Sequence, residues 1–379
     1  MDAKKNLEVK NQLRIAESRN DIPMKPEKIF KNAPSRTVDL TKGKSLRGLT
    51  NLGNTCWLNT ILQCLSNTLP LTNFFISYQY LDYLMEENNS SFPRNFDALL
   101  KELWKGYPGE FAPHQFIKEI RKYRTPLGEH MKQQDAHEGF TFILDKLHDS
   151  INQGKSKTYH EAGPDTSLLA WKQHMRREDS FIWELFGGQL KSTISCHSCG
   201  KKSSKFDHFT SLSMEIPNTT SKQHVMELLA HFTKSEKVEW NCPFCSRKSF
   251  TEKKITISHL PEILVLHLKR FSQSWVTGEH RKIQNFVDFP LDNLDLSRFL
   301  SENHRKKENF KDYTLYAITN QRGSLSSGHY TAYVNRYNKW YHCNDSSVSL
   351  VPNPRSVITE EAYLLFYYRK DQATHFSKV

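Results

Sequence analysis

The chain has 379 residues, with 53 Lys and Arg against 41 Asp and Glu, for a formal net charge of +12. Hydrophobic residues at 37% and aromatic residues at 12% exclude a low-complexity or wholly disordered chain, and the length admits one large core or a few smaller ones. No uncharged apolar run approaches the roughly 18 residues of a membrane span, and the charged start MDAKKNLEVKNQLR lacks the apolar centre of a secretory signal.

Residues 1–45 carry eleven Lys/Arg against six Asp/Glu, and Pro23, Pro26 and Pro34 interrupt any long helix there. They read as a basic, partly disordered N-terminal extension, with folded sequence starting near Leu46. From there to about Leu147 the pattern is helical. Trp57, Leu58, Ile61, Leu62 and Leu65 share one face, as do Phe96, Leu99, Leu100, Leu103 and Trp104, and again Phe140, Ile143, Leu144 and Leu147. Residues 151–167 read as a loop, followed by a short helix through Trp171. The period then changes to two. GGQLKSTISC, FTSLSMEIP and KKITISHL alternate polar and apolar residues, and EILVLHLKRF, DYTLYAITN, GHYTAYVNR, KWYHCND and AYLLFYYR add further strands. Helices first and strands afterwards indicate an α+β fold rather than alternating α/β.

Of seven cysteines, four form two pairs, Cys196-His-Ser-Cys199 and Cys242-Pro-Phe-Cys245. Four thiolates can close a tetrahedral shell around one structural Zn²⁺, which leaves no open position for catalysis. The 42-residue span between Cys199 and Cys242 is longer than in a compact zinc ribbon, so the chain must leave and return, as strands plus the amphipathic stretch 222–232. Disulfides or a redox CxxC are the alternatives; the absence of a secretory signal disfavours the first, and the matched pairs disfavour the second. The expected location is intracellular, in cytoplasm or nucleus. The Lys and Arg are scattered rather than blocked, which disfavours nucleic acid as a partner, and no membrane association is expected.

Asn51-Leu-Gly-Asn54-Thr-Cys56-Trp57 places a cysteine where a loop enters a helix. Unpaired N–H groups and the positive end of the macrodipole favour thiolate there, and Asn51 can donate to an oxyanion beside the sulfur. Such a cysteine is also a common packing residue, the reading given to Cys64. For a general base, His329 opens a strand in GHYTAYVN, and the adjacent strand WYHCND can set Asn344 or Asp345 against it.

LRGLTNLGNTCWLNTILQCLSN, QQDAHEGF, LPEILVLHLKRF, GHYTAYVN, WYHCNDSSV and AYLLFYYR occur in the order seen in ubiquitin-specific proteases, and residues 46–370 resemble that family of cysteine deubiquitinases. The resemblance implies a papain-like cysteine protease fold: a helical thumb (about 46–185), zinc-bearing β fingers (about 186–258) and a β palm (about 259–370), with 371–379 as a tail. It implies Cys56 as nucleophile, His329 as base and Asn344 as its orienting partner, with Asp345 sharing polarising or oxyanion duty and Asn51 in the oxyanion hole. Asp135 and Glu138 become candidates for the basic ubiquitin tail, with Gln134 and Tyr330 beside them. The implied activity is hydrolysis of the bond between ubiquitin's C-terminal glycine and a lysine amine. Implied partners are ubiquitin, ubiquitinated proteins and a regulatory protein.

The chain departs from the family pattern in four places. Trp57 replaces Phe or Tyr, Gly139 replaces Phe, Gln321 replaces His, and Cys343 replaces Phe. The glycine is expected to loosen its helix, and Cys343 to fill a core gap. His137, His267 and His342 are read as structural. A catalytically weak ubiquitin-binding scaffold is the alternative function, and a basic zinc module for nucleic acid is a third and weaker one.

Overall fold

The computed structural model describes residues 46–84, 91–104, 109–123, 132–154, 163–217, 221–273, 280–307, 312–324 and 327–373, all within one compact unit, Thr37–Val379. The basic extension 1–45 and the last residues of the tail lie outside the described residues. No helix among the described residues is long and apolar enough to cross a membrane.

The first part is helical: α1 (Cys56–Ser66), α2 (Leu69–Ile76), α3 (Ser91–Trp104), α4 (His114–Arg121), α5 (Ala136–Ile151), α6 (Ser167–Arg177) and α7 (Phe181–Phe186). Three of these begin on sequence-coded caps, Asp135 accepting the His137 N–H, Thr166 that of Leu169 and Ser180 that of Trp183. Helix α1 departs from the one-faced expectation, because every one of its residues is buried. The donors of its polar side chains bond inward, Asn59 to the Leu49 carbonyl, Thr60 to the Thr331 carbonyl and Gln63 to the Arg47 carbonyl, while Asn59 Oδ1 and Gln63 Oε1 make no hydrogen bond. Such a helix is a central post, and it carries Cys56 at its first turn.

Most of the strands fall in two sheets, beside three small two-stranded pairs. A four-stranded antiparallel sheet has the order β2-β1-β5-β4, where β1 is Gly188–Ser195, β2 Lys202–Phe209, β4 Glu236–Asn241 and β5 Lys248–His259. It is half-exposed and ends at the four cysteines. The larger sheet runs β10-β9-β8-β7-β11-β6-β3, with β3 Leu212–Glu215, β6 Ile263–Lys269, β7 Asp312–Gly323, β8 Gly328–Arg336, β9 Lys339–Asn344, β10 Ser347–Val351 and β11 Ala362–Arg369. Its central strands do not alternate, since both faces are covered. On one face Leu264, Leu266, Leu268 and Leu365 share a cluster with Val225, Leu228 and Leu229 of α8 (Val225–Phe232). On the other, Phe366 meets Phe140 of α5 with ring centroids 5.6 Å apart, and Phe140 meets Phe186 at 5.9 Å. Arg270, fully buried, donates to the carbonyls of Ala362, Ile283 and Asn285 and so ties the strand end to its neighbours.

Two departures explain each other. A Cβ on Gly139 would lie 2.5 Å from Cζ3 and 2.8 Å from Cε3 of Trp57. The larger ring on α1 occupies the room that glycine leaves on α5, so the helix pair is tightly packed and not loosened. Cys343 is buried, and burial pushes its thiol up to about 12, as befits a packing residue. His137 is likewise a hydrogen-bonded packing residue, stacked on His267 at 4.0 Å and bonded to the Ser211 hydroxyl.

Where α7 meets the start of β6, two acids are half-buried side by side. Burial, reinforced by Glu262, pushes the Glu184 carboxyl up to about 8, and burial pushes Glu262 up to about 7. A carboxyl whose folded pKa is raised supports stability fully below its unfolded pKa and loses that support as pH rises through the folded value. Glu184→Gln is therefore expected to melt close to wild type at pH 5 and on the order of 5 °C above it at pH 8.5. Thermal unfolding across that range checks the sign.

Candidate active site and metal centre

The approach to Cys56 is built by Asn51. Its side-chain carbonyl accepts the N–H groups of Gly53 and Thr55, at 3.1 Å each, which folds the loop back before the helix begins. Gly53 at φ 93° and Asn54 at φ 53° complete the reversal. The Asn51 amide donates to Asp345 Oδ2 at 2.9 Å, and Asn59 of α1 donates to Asp345 Oδ1 at 2.8 Å. The Asp345 carbonyl accepts the Leu49 N–H at 2.8 Å. One aspartate thus joins the nucleophile loop, the nucleophile helix and the far hairpin. The approach is so close that a Cβ on Gly48 would fall 2.0 Å from the Ser346 carbonyl oxygen.

The hairpin β8–β9 pairs Ala332 with Cys343. Alternation then puts His329, Thr331 and Asn344 on the same face, and His329 Nε2 lies 2.7 Å from Asn344 Oδ1. An acceptor oxygen at that distance fixes the proton on Nε2 and leaves Nδ1 available as a base. Asp345 does not share this contact. With φ at 47° it turns out of the strand, toward Asn51 and Asn59. The turn ahead of His329 is stitched by Gln321, whose amide donates to the carbonyls of Arg322 and Ser324.

The Cys56 side chain is buried, and its sulfur lies 3.5 Å from Nε2 and 3.7 Å from Oε1 of Gln133. Neither nitrogen of His329 hydrogen-bonds it in this structure. Gln133 was not singled out from sequence, although it opens the QQDAHEGF block; a residue 77 positions from the cysteine gives no local signal of the contact. The rest of that block forms a wall. Asp135 caps α5 by accepting the His137 N–H, and it also accepts the Tyr363 hydroxyl at 2.6 and 2.8 Å. Tyr330 packs in the interior near Tyr363 and Cys56, its hydroxyl making no well-formed hydrogen bond. Gln134 is half-buried beside Asp135. Glu138 is exposed at the surface, and partial desolvation by its neighbours, with Asp135 nearby, raises its carboxyl above the usual range.

The sulfurs of Cys196, Cys199, Cys242 and Cys245 all lie within 4.8 Å of one another, and none is in a disulfide. Two knuckles present them. In each, the N–H following the second cysteine returns to the first, Gly200 to Cys196 and Ser246 to Cys242, with Gly200 at φ 70° and Ser246 at φ 55°. The sulfurs of Cys199 and Cys242 are 3.7 Å apart and those of Cys196 and Cys245 3.9 Å. A tetrahedron with metal–sulfur bonds of about 2.3 Å has edges of about 3.8 Å. The cluster can hold one metal ion, and its donor set and spacing are compatible with zinc.

Comparison with known proteins places this geometry among relatives. The family model for ubiquitin carboxyl-terminal hydrolase matches residues 47–367. Ubiquitin carboxyl-terminal hydrolase 2 of Bos taurus is 38% identical over 358 residues, which are 89% of this chain and 57% of that protein. Ubiquitin carboxyl-terminal hydrolase 21 of Rattus norvegicus is 36% identical over 359 residues, 86% of this chain and 62% of that protein. The chain thus spans somewhat over half the length of these curated relatives. A solved SAGA deubiquitinase module, Ubp8/Sgf11/Sus1/Sgf73 bound to ubiquitin aldehyde, superposes with a TM-score of 0.68 at 27% identity, covering 89% of this chain and 71% of that one. Helical layer, large sheet and cysteine-tipped sheet correspond to the thumb, palm and fingers expected from sequence, and the chain belongs to the ubiquitin carboxyl-terminal hydrolase family.

Proposed function

We propose that the protein is a thiol isopeptidase that hydrolyses the bond between the C-terminal glycine of ubiquitin and a lysine amine. The observation that carries this reading is the His329–Asn344 bond on a hairpin packed against the helix that begins at Cys56. His329 takes the proton of Cys56, whose sulfur attacks the glycine carbonyl to give a tetrahedral oxyanion. An amide NH₂ has two donors. Asn51 spends one on Asp345, and the second is available for the oxyanion. His329 then protonates the departing amine, and water activated by the same imidazole cleaves the thioester. Asn344 orients the ring without adding a negative charge. Ubiquitin as substrate is supported by the relative bound to ubiquitin aldehyde, and that relative's multisubunit form supports a regulatory protein partner. Asp135, Glu138 and Gln134 are proposed to line the path of the ubiquitin tail, and Tyr330, buried in the interior, to support that wall from behind rather than touch the tail.

The contact of Cys56 with Gln133 favours a second reading, a ubiquitin-binding scaffold of weak activity. Ubiquitin carrying a fluorogenic C-terminal amide decides between them. The enzyme reading expects release of the fluorophore, a covalent adduct at Cys56 with an electrophilic ubiquitin, and loss of both in Cys56→Ala. Tight ubiquitin binding without release or adduct would establish the scaffold.

We further propose that the four cysteines hold one structural Zn²⁺ as thiolates. Zinc bound there supplies folding energy and has no open position for a substrate. Elemental analysis is expected to find one zinc per chain, and Cys199→Ser to lower the melting temperature by on the order of 10 °C and open the β4–β5 region to protease. A chain with no zinc and an unchanged melt in chelator would remove the metal.

A further inference from the structure

Away from Cys56 and His329, the four-stranded sheet carries a cavity of about 890 Å³. Strand register builds its floor. Lys191 pairs with Thr256, Thr193 lies between Ser204 and Lys254, and Ser195 lies between Lys202 and Glu252, so that these side chains share one face of the sheet. The opposite wall comes from the segment that bridges Leu300 to Ile257 and brings Arg298 and Arg305 to the rim. Five cations therefore converge on one space with two acids, Glu252 and Glu302. Among the described residues, no carboxylate lies within ion-pair distance of Lys191, Lys202 or Lys254. Most of the remaining wall is serine and threonine. None of Cys56, Gln133, His329 or Asn344 lines it.

Three lysines without an ion pair, gathered in a concave site beside two arginines that donate to backbone carbonyls, raise the local potential and favour a multivalent anion. The chemistry of the wall narrows the class. Lysine ammoniums act as point charges and arginine guanidiniums as planar forks, and both, interleaved with hydroxyls, donate to phosphoryl oxygens. The volume falls in the range of small-molecule sites, about 300–1,000 Å³. An acidic peptide would also need apolar recesses for its stem atoms, and the wall offers few. We propose that this cavity is a binding site for a compact polyphosphate, a small molecule bearing several phosphoryl groups. The ligand would hold the cysteine-tipped sheet to the Arg298–Arg305 segment.

Titration calorimetry of the full chain with inorganic tripolyphosphate at about 0.15 M salt tests the site. One saturable equivalent is expected. The variant K191Q/K202Q/K254Q is expected to bind at least about tenfold more weakly, while K118Q/K172Q/K339Q, with the same loss of charge at exposed positions elsewhere, stays within about twofold. Lys254→Gln alone, at an exposed position, is expected to move affinity the same way with an unchanged thermal melt. No saturable heat, or binding that the cavity variant leaves unchanged, overturns the proposal. So does equal weakening in both triple variants, which would mean diffuse attraction. A hexaglutamate peptide that binds more tightly than tripolyphosphate and is lost in the cavity variant would give the cavity to an acidic peptide instead.

Discussion

Gly139→Ala is expected to destabilise the protein by about 2–3 kcal/mol, although helix propensity alone favours that change by about 1 kcal/mol. The added methyl would sit 2.5 Å from Cζ3 of Trp57, and Trp57 is 4% exposed, so its ring has no open direction of retreat. Trp57→Phe removes the outer ring atoms and, by leaving a void, is expected to cost about 1–3 kcal/mol by itself. The double variant should cost less than the two singles together by at least about 1 kcal/mol, because each change relieves the defect of the other. Urea unfolding of the four proteins closes this cycle, and a Gly139→Ala chain as stable as wild type would show that the contact is not tight. Since Trp57 directly follows Cys56, the same substitution is expected to lower kcat roughly tenfold through displacement of the nucleophile.

The second large effect is expected at Asp345, which touches neither the sulfur nor the imidazole. Its carboxylate takes one N–H from Asn51 and one from the buried Asn59. Asp345→Ala frees the Asn51 amide to rotate away from the oxyanion, and kcat for a ubiquitin C-terminal amide is expected to fall by about 10²–10³ with KM little changed. Asn51→Ala should fall by a similar factor. If the aspartate acts through Asn51, the double variant is no worse than the weaker single. Multiplicative losses would mean that Asp345 has a separate role. Asn344→Ala gives the contrast, since it loosens the imidazole and leaves the anchored amide in place.

Parts of this site were legible because their signals are local. The cysteine knuckles are set by spacing within six residues, and the His329–Asn344 pair by alternation across one hairpin. The Trp57–Gly139 contact was not, since it joins two helices 82 positions apart, and each residue read alone resembles a defect. Gln133 beside Cys56 was hidden for the same reason. The choice between Asn344 and Asp345 as partner of the imidazole stayed open in the sequence, because it turns on one backbone angle: Asp345 is itself left-handed, at φ 47°, and its side chain goes to Asn51 and Asn59. The burial of α1 on all sides was also illegible. Its Asn, Thr and Gln look like a solvent face until the carbonyls that satisfy them are in view.

The order of strands in the large sheet also governs when such a protein can exist. Strand β11, Ala362–Arg369, lies between β7 and β6, and it is later in the chain than every strand it joins. Until it has emerged from a ribosome, the hairpin with His329 and the β6 layer have no common partner, and Cys56 waits at the other end of the polypeptide. Slow, long-range pairing of this kind is among the last steps of folding. A chain that stops short of β11 would thus contain every proposed catalytic side chain and lack the strand that joins the His329 hairpin to β6.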